Sequence, residues 1–130
     1  MAKSAWARLR PGARGVTLAF LTSGTTHLVR PQVFEPLIPP MLPAPRAWIV
    51  GSGVAELVSA AGLLTGARWA PAATTATLVA VWPGNWWYAI ATQRRSGAHP
   101  VHKAVAWARL PMQIPMIAAA RDPWREPDPA

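Results

Sequence analysis

Charged residues in this 130-residue chain stand singly or in pairs, and long uncharged runs separate them. Four runs organise the sequence. The first lies between Arg14 and Arg30, and the second between Arg46 and Arg68, interrupted by Glu56. The third, between Arg68 and Arg94, has no charge at all; the fourth, between Lys103 and Arg121, is interrupted by Arg109. A helix rises about 1.5 Å per residue and a bilayer core is about 30 Å thick, so about 20 residues cross it. The second and third runs reach that length directly. The first and fourth reach it if Arg14, Arg30 and Lys103 extend their charged heads to the interface. A soluble bundle needs a charged face on every helix, and the third run offers none.

The pattern therefore predicts an all-α integral membrane protein, a bundle of four transmembrane helices over residues 14–120. The spans fall at about 14–29, 47–67, 69–93 and 103–120. A basic N-terminus (1–13) precedes them and a flexible C-terminal tail (121–130) follows. The first run has the basic start of a signal peptide, but no small-x-small cleavage site follows it, so it is read as a retained span. Gly66 to Trp69 makes a tight turn, and the helices on either side are antiparallel neighbours. Between the first two helices, residues 31–45 hold Pro31, Pro36, Pro39, Pro40, Pro43 and Pro45, which forbid a continuous helix. The same stretch carries Phe34, Leu37, Ile38, Met41 and Leu42. It reads as an interfacial loop folded onto the membrane surface or the bundle mouth. Small residues recur at helical spacing, chiefly in steps of four: Gly15, Ala19, Ser23; Gly51, Ala55, Ser59, then Gly62 and Gly66; Ala72, Ala76, Ala80, Gly84. Such stripes let helix backbones approach closely, which predicts tight packing along these faces.

Composition sharpens the picture. Only 14% of the residues are charged, against about 25% in a typical soluble domain. The net charge of +8 suggests nucleic acid at first, but the cations form no patch, and the sign comes from a shortage of acids. No nucleic-acid partner is expected. Cysteine is absent, which excludes disulfides, thiol catalysis and iron–sulfur clusters. With four spans both termini share a side. That side holds Lys3, Arg8, Arg10, Arg14, Arg68, Arg121 and Arg125; the other holds Arg30, Arg46, Arg94, Arg95 and Lys103. The excess predicts a multi-pass protein of the plasma membrane with cytoplasmic termini. Trp6, Trp48, Trp69 and Trp124 near the span ends fit an aromatic belt.

Polar groups inside a bilayer are costly and usually functional. Glu56 and Asn85 each lie nine residues from a span end, about 14 Å deep at helical rise. Arg109 and Gln113 lie about 9 and 15 Å deep from the same face. Ser52, Gly53, Ser59 and Ala60 flank Glu56 at three and four residues, so it points toward another helix. An ion pair between Glu56 and Arg109, with Asn85 and Gln113 supplying hydrogen bonds, is the simplest arrangement. Two readings stay open: a clasp that sets helix order, or the lining of a ligand pocket. Pro83, Pro111 and Pro115 flank this layer and can kink the helices beside it. His27, His99 and His102 share a side with Glu35, and a metal would require the fold to gather them. No phosphate loop or catalytic triad is present, which points to a protein without activity on its own.

Short elements recur in a recognisable order: Gly24-Thr-Thr-His27, Arg30-Pro31, Phe34, Ile38-Pro39-Pro40, and Leu42-Pro43-Ala44-Pro45-Arg46. Ser52-Gly53-Val54-Ala55-Glu56, Ala61-Gly62-Leu63-Leu64, Trp82-Pro83-Gly84-Asn85 and Arg109-Leu110-Pro111-Met112-Gln113 follow. Over about residues 15–120 the chain resembles the DoxX family of small four-helix bacterial membrane proteins. The resemblance implies that His27, Glu56, Asn85, Arg109 and Gln113 are signature polar positions. It implies an auxiliary, redox-associated membrane subunit, since the family takes its name from a subunit of a membrane thiosulfate:quinone oxidoreductase. A quinone-like ligand would then meet Arg109, Asn85 or Gln113 through its oxygens, with Trp82 and Trp86 stacking on its ring. The alternative is a structural or assembly partner, because distant relatives act as chaperones for membrane receptors. Expected partners are the lipid bilayer, another membrane or redox protein, and a second copy of the chain.

Overall fold

The computed structural model describes residues 3–127 and 129; the extreme ends of the basic N-terminus and of the expected tail (1, 2, 128 and 130) lie outside them. The chain is all-α. A short helix α1 (Ala5–Arg8) leads into α2 (Pro11–Val29), and a 3-10 helix (Pro31–Leu37) connects α2 to α3 (Pro45–Thr65). Then come α4 (Ala70–Arg94) and α5 (Pro100–Arg121). Among the described residues no strand forms, only an isolated antiparallel bridge between Leu9 and Trp124.

Proline writes the helix starts. Pro11, Pro45, Pro71 and Pro100 stand in the first turns of the four long helices, where a missing N–H costs nothing and φ is already helical. Pro83, Pro111 and Pro115 lie inside α4 and α5, which run on through them. Glycine ends α3: Gly66 is left-handed, at φ 74°, a conformation that suits a residue without Cβ. The chain turns there, and the Ala67 N–H donates to the Gly62 carbonyl at 2.9 Å.

Consecutive long helices run antiparallel. α2 packs chiefly on α3 and α4 chiefly on α5, and the two hairpins meet along the α3–α4 and α2–α5 seams. The closest crossing is between α2 and α3. A methyl added at Gly53 would stand 2.5 Å from His27 Cβ, and one at Gly24 would stand 2.8 Å from Leu57 Cγ. Of the small residues expected from the helical spacing, Ser59 and Gly62 of α3 are buried, and Gly62 packs closely on Trp69 and Ala70. Gly15, Ala19, Ala72, Ala76 and Ala80 face outward. A stripe shows that a face is smooth; it does not say whether that face turns inward.

Both termini and the α3–α4 turn lie at one end of the bundle. Leu9, Ala13, Leu63 and Ala70 form a buried cluster there, with Trp124 against it. The expected flexible tail is in fact held over residues 122–125. Arg10 N–H donates to the Pro123 carbonyl and Arg125 N–H to the Arg8 carbonyl, both at 2.8 Å. The Trp124 indole donates to the Leu63 carbonyl at 3.3 Å, and Arg10 pairs with Asp122 at 3.2 Å. A proline-rich, charged composition concealed two residues, Pro123 and Trp124, whose apolar surface docks.

The long helices bury polar side chains beside their apolar core and expose many apolar ones. Thr17, His27, Glu56, Ser59, Thr74, Thr77, Asn85, Thr92 and Gln113 are buried. Leu18, Val54, Val58, Val79, Ile90, Val105, Met112 and Ile114 are exposed. Among the described residues one helix, Pro45–Thr65, is long and apolar enough to cross a membrane, with a mean hydropathy of 1.6. The uncharged runs predicted four such helices. The physical reason for the difference is that uncharged does not mean apolar: α4 carries Thr74, Thr75, Thr77 and Asn85, and α5 carries Arg109 and Gln113.

The crossing makes a direct prediction. Gly53→Ala forces α2 and α3 apart and should destabilise the protein by about 1–3 kcal/mol. Gly51→Ala, with nothing within 4 Å of the new methyl, should be neutral or stabilise by up to about 1 kcal/mol. Thermal unfolding in detergent measures both, and equal effects would show that the crossing is not tight.

Candidate functional site

The α2–α3 crossing determines what Glu56 meets. With no side chain on Gly53, His27 lies across it and its Nδ1 comes 3.5 Å from Glu56 Oε2, both groups being buried. His27 Nδ1 also donates to the Ser23 carbonyl at 2.6 Å. A carbonyl can only accept, so in the neutral ring Nδ1 carries the proton and Nε2 is the acceptor. The Ser23 hydroxyl lies 3.3 Å from the same nitrogen. Above the ring Phe34 of the 3-10 helix stacks at 3.6 Å between centroids and 15° between planes. Sequence depth put His27 at the rim; the structure buries it under the proline-rich segment, which folds over this end of the bundle.

The expected Glu56–Arg109 ion pair is absent. Among the described residues Arg109 has no carboxylate within 4 Å, and Glu56 Oε2 makes no hydrogen bond. The physical reason is the close crossing, which delivers His27 to Glu56 from the adjacent helix while Arg109 stays on α5. Arg109 nevertheless lines the same cavity, and its charge acts on both His27 and Glu56. Asn85 is buried, and among the described residues its amide has no hydrogen-bond partner.

These groups share one cavity of about 210 Å³. Ser23, His27, Ser52, Glu56, Asn85 and Arg109 give its polar wall, and Phe34, Leu37, Ile38 and Trp48 an apolar roof and side. Two strands of the sequence reading separate here. His27, Glu56, Asn85 and Arg109 come together. Gln113 does not line this cavity; it lines an adjoining one, and its amide is committed to the Leu78 carbonyl at 2.8 Å.

The expected ring-stacking tryptophans also lie elsewhere. Trp82 packs against Ala89, Ala106 and Leu110. Trp86 meets Trp107 edge-on at 6.2 Å and is exposed. On a helix of 3.6 residues per turn both are rotated from Asn85 by roughly 60–100° in one direction, and that flank faces α5 rather than the cavity. The aromatic rings at the site are Phe34 and Trp48, neither of which was singled out as a ligand contact. Ser23 and Ser52 were missed too. Each lies four residues before a polar site residue, His27 and Glu56 respectively, and that spacing was the available signal.

The three histidines are not gathered. His99 and His102 are 6.4 Å apart at the start of α5, while His27 lies with Glu56. Among the described residues no group of three or more His, Asp or Glu side chains is placed to share a metal ion.

Double-mutant cycles in detergent follow from this geometry. His27→Ala should cost about 1–3 kcal/mol, since it removes the imidazole beside a buried carboxyl. Arg109→Ala should cost less than about 1 kcal/mol. The His27–Glu56 coupling should exceed the Glu56–Arg109 coupling; the reverse order would restore the Glu56–Arg109 clasp.

The family model described as Domain of unknown function (DUF8561) matches residues 16–123, and the chain belongs to that family. No curated protein and no solved structure matches the chain.

Proposed function

We propose that this member of the DUF8561 family is a DoxX-like, four-span protein of the plasma membrane with cytoplasmic termini. On this reading it is an auxiliary, redox-associated subunit whose polar layer binds a quinone-like ring. The facing of the helices supports membrane embedding beyond the one span that qualifies by hydropathy. From Ala104 to Ala118 every exposed residue of α5 is Ala, Val, Trp, Pro, Met or Ile. From Ala72 to Ile90 the exposed residues of α4 are Ala, Val, Pro, Trp and Ile. Contiguous apolar exteriors of this extent are exceptional in soluble monomers. Thr25 and Thr26 of α2 donate their hydroxyls to backbone carbonyls four residues earlier, at 2.6 and 2.8 Å. That satisfies each hydroxyl without water. Trp6, Trp48 and Trp69 are exposed near helix ends, where interfacial rings sit.

The observation that carries the ligand reading is the uncommitted Arg109. A cation inside a bundle is costly unless something pairs with it, and among the described residues no carboxylate lies within 4 Å of Arg109. Arg109 and Asn85 both offer donors to an oxygen in the cavity. Its volume of about 210 Å³ exceeds the roughly 150 Å³ that accommodates benzene in an engineered apolar cavity. The His27–Phe34 stack provides an aromatic wall. A second reading, an assembly partner for another membrane protein or a second copy, is favoured by the outward-facing Ala72, Ala76 and Ala80, which would let a foreign helix approach.

Mass spectrometry of organic extracts from protein purified in mild detergent tests the ligand reading. Wild type should carry a stoichiometric ring compound. Arg109→Lys should keep its thermal stability, having no ion pair to lose, and retain at most a tenth of the ligand, because Lys lacks the planar fork. Bulk lipid alone in both samples would leave the assembly reading. A C-terminal tag accessible only from the cytoplasm is expected, and an external tag would overturn the topology.

A further inference from the structure

The ring cavity has a neighbour. A second cavity of about 200 Å³ shares Ser23, Glu56, Val81, Asn85 and Arg109 with the first. These five side chains therefore form a partition with space on both sides, and Arg109 can be reached from either. Beyond the partition the second chamber is apolar. Its walls are Ala19 and Phe20 of α2, Leu78 of α4, and Met112 and Met116 of α5. Its other polar side chain, Gln113, already donates to the Leu78 carbonyl. Ala19 and Met112 line the chamber and are also exposed on the outside of the bundle. The chamber thus opens sideways at the seam between α2 and α5, onto an apolar surface. Methionine side chains are flexible and adapt to irregular apolar shapes.

We infer that this second chamber receives a hydrocarbon tail. The ligand class of the site is then a tailed, lipid-soluble amphiphile: a ring whose oxygens meet Arg109 and Asn85 at the partition, with an alkyl or isoprenoid chain on the far side. This rests on the ring-binding reading above and adds the tail and its path. The tail needs no polar partner, and the chamber offers none that is free beyond the partition. The lateral mouth lets the chain enter from among lipid tails without crossing water. Each methylene buried there is worth about fourfold in affinity, so a chamber of this size discriminates strongly between tailed and tail-less rings.

The test uses the full chain in lipid nanodiscs and two probes: 2,3-dimethoxy-5-methyl-1,4-benzoquinone, and the same ring bearing a decyl chain. Ala19→Trp and, independently, Met112→Trp fill the mouth from exposed positions, where the fold has room for them. Each variant should weaken binding of the tailed probe by about tenfold or more, the equivalent of two or three displaced methylenes. Each should leave the tail-less ring within about twofold of wild type by the same reckoning. Equal weakening of both probes, or of neither, overturns the tail chamber while leaving the ring site intact. If wild type binds neither probe, the ring-binding reading falls, and the tail chamber with it. A decyl probe carrying a photoreactive group in its chain gives a second readout. Labelling of Phe20, Met112 or Met116 is expected, and labelling confined to residues outside the chamber overturns the proposal.

Discussion

Where α2 crosses α3 there is no space for a side chain on either Gly24 or Gly53, and the rest of the site is arranged around that fact. Because Gly53 has no Cβ, His27 can lie across it and reach Glu56 from the neighbouring helix. With His27 in that place, Arg109 on α5 has no carboxylate within 4 Å among the described residues and lines the cavity. Phe34 then stacks on the imidazole, which draws the proline-rich segment down as a roof. One backbone contact between two glycines therefore sets which side chain meets Glu56 and where the roof of the cavity rests.

The two ends of the bundle are built differently. At the terminal end, the segment around Leu9 and the segment around Trp124 exchange backbone hydrogen bonds and bury Trp124 against Leu63. That end is packed shut. At the other end the cover is the short 3-10 helix and the prolines after it. The junction with α3 is Ala44, the one non-glycine residue with a left-handed backbone among those described (φ 51°), a conformation costly for a residue with Cβ. The Trp48 indole donates to the Pro43 carbonyl at 3.0 Å across this junction. Cavity and strain thus occur together at the end away from the termini.

Inside the bundle, small and polar residues share the packing with large apolar side chains such as Phe20, Ile49, Leu63 and Leu78. Thr17 and Thr77 spend their hydroxyls on their own helices, and Gln113 spends its amide on the Leu78 carbonyl of α4. Other large apolar side chains, among them Leu18, Val54, Val79 and Ile114, face outward.

The number, order and approximate ends of the long helices were legible in the sequence, because charge spacing acts within a single helix and needs no partner. Glu56, Asn85 and Arg109 were legible as candidates for the same reason: a polar residue in an uncharged run stands out locally. The pairing among them was not. Whether Glu56 meets His27 or Arg109 depends on how α2 and α3 are rotated against each other, and that depends on Gly24 and Gly53, which belong to no repeating stripe. The same rotation turned Trp82 and Trp86 away from the cavity and brought in Phe34 from a segment with no periodicity to read. Likewise, Trp124 docks on a surface assembled from α2, α3 and α4, which no single stretch of chain contains. Local chemistry marks which residues are unusual; the relative rotation of packed helices decides what each of them touches.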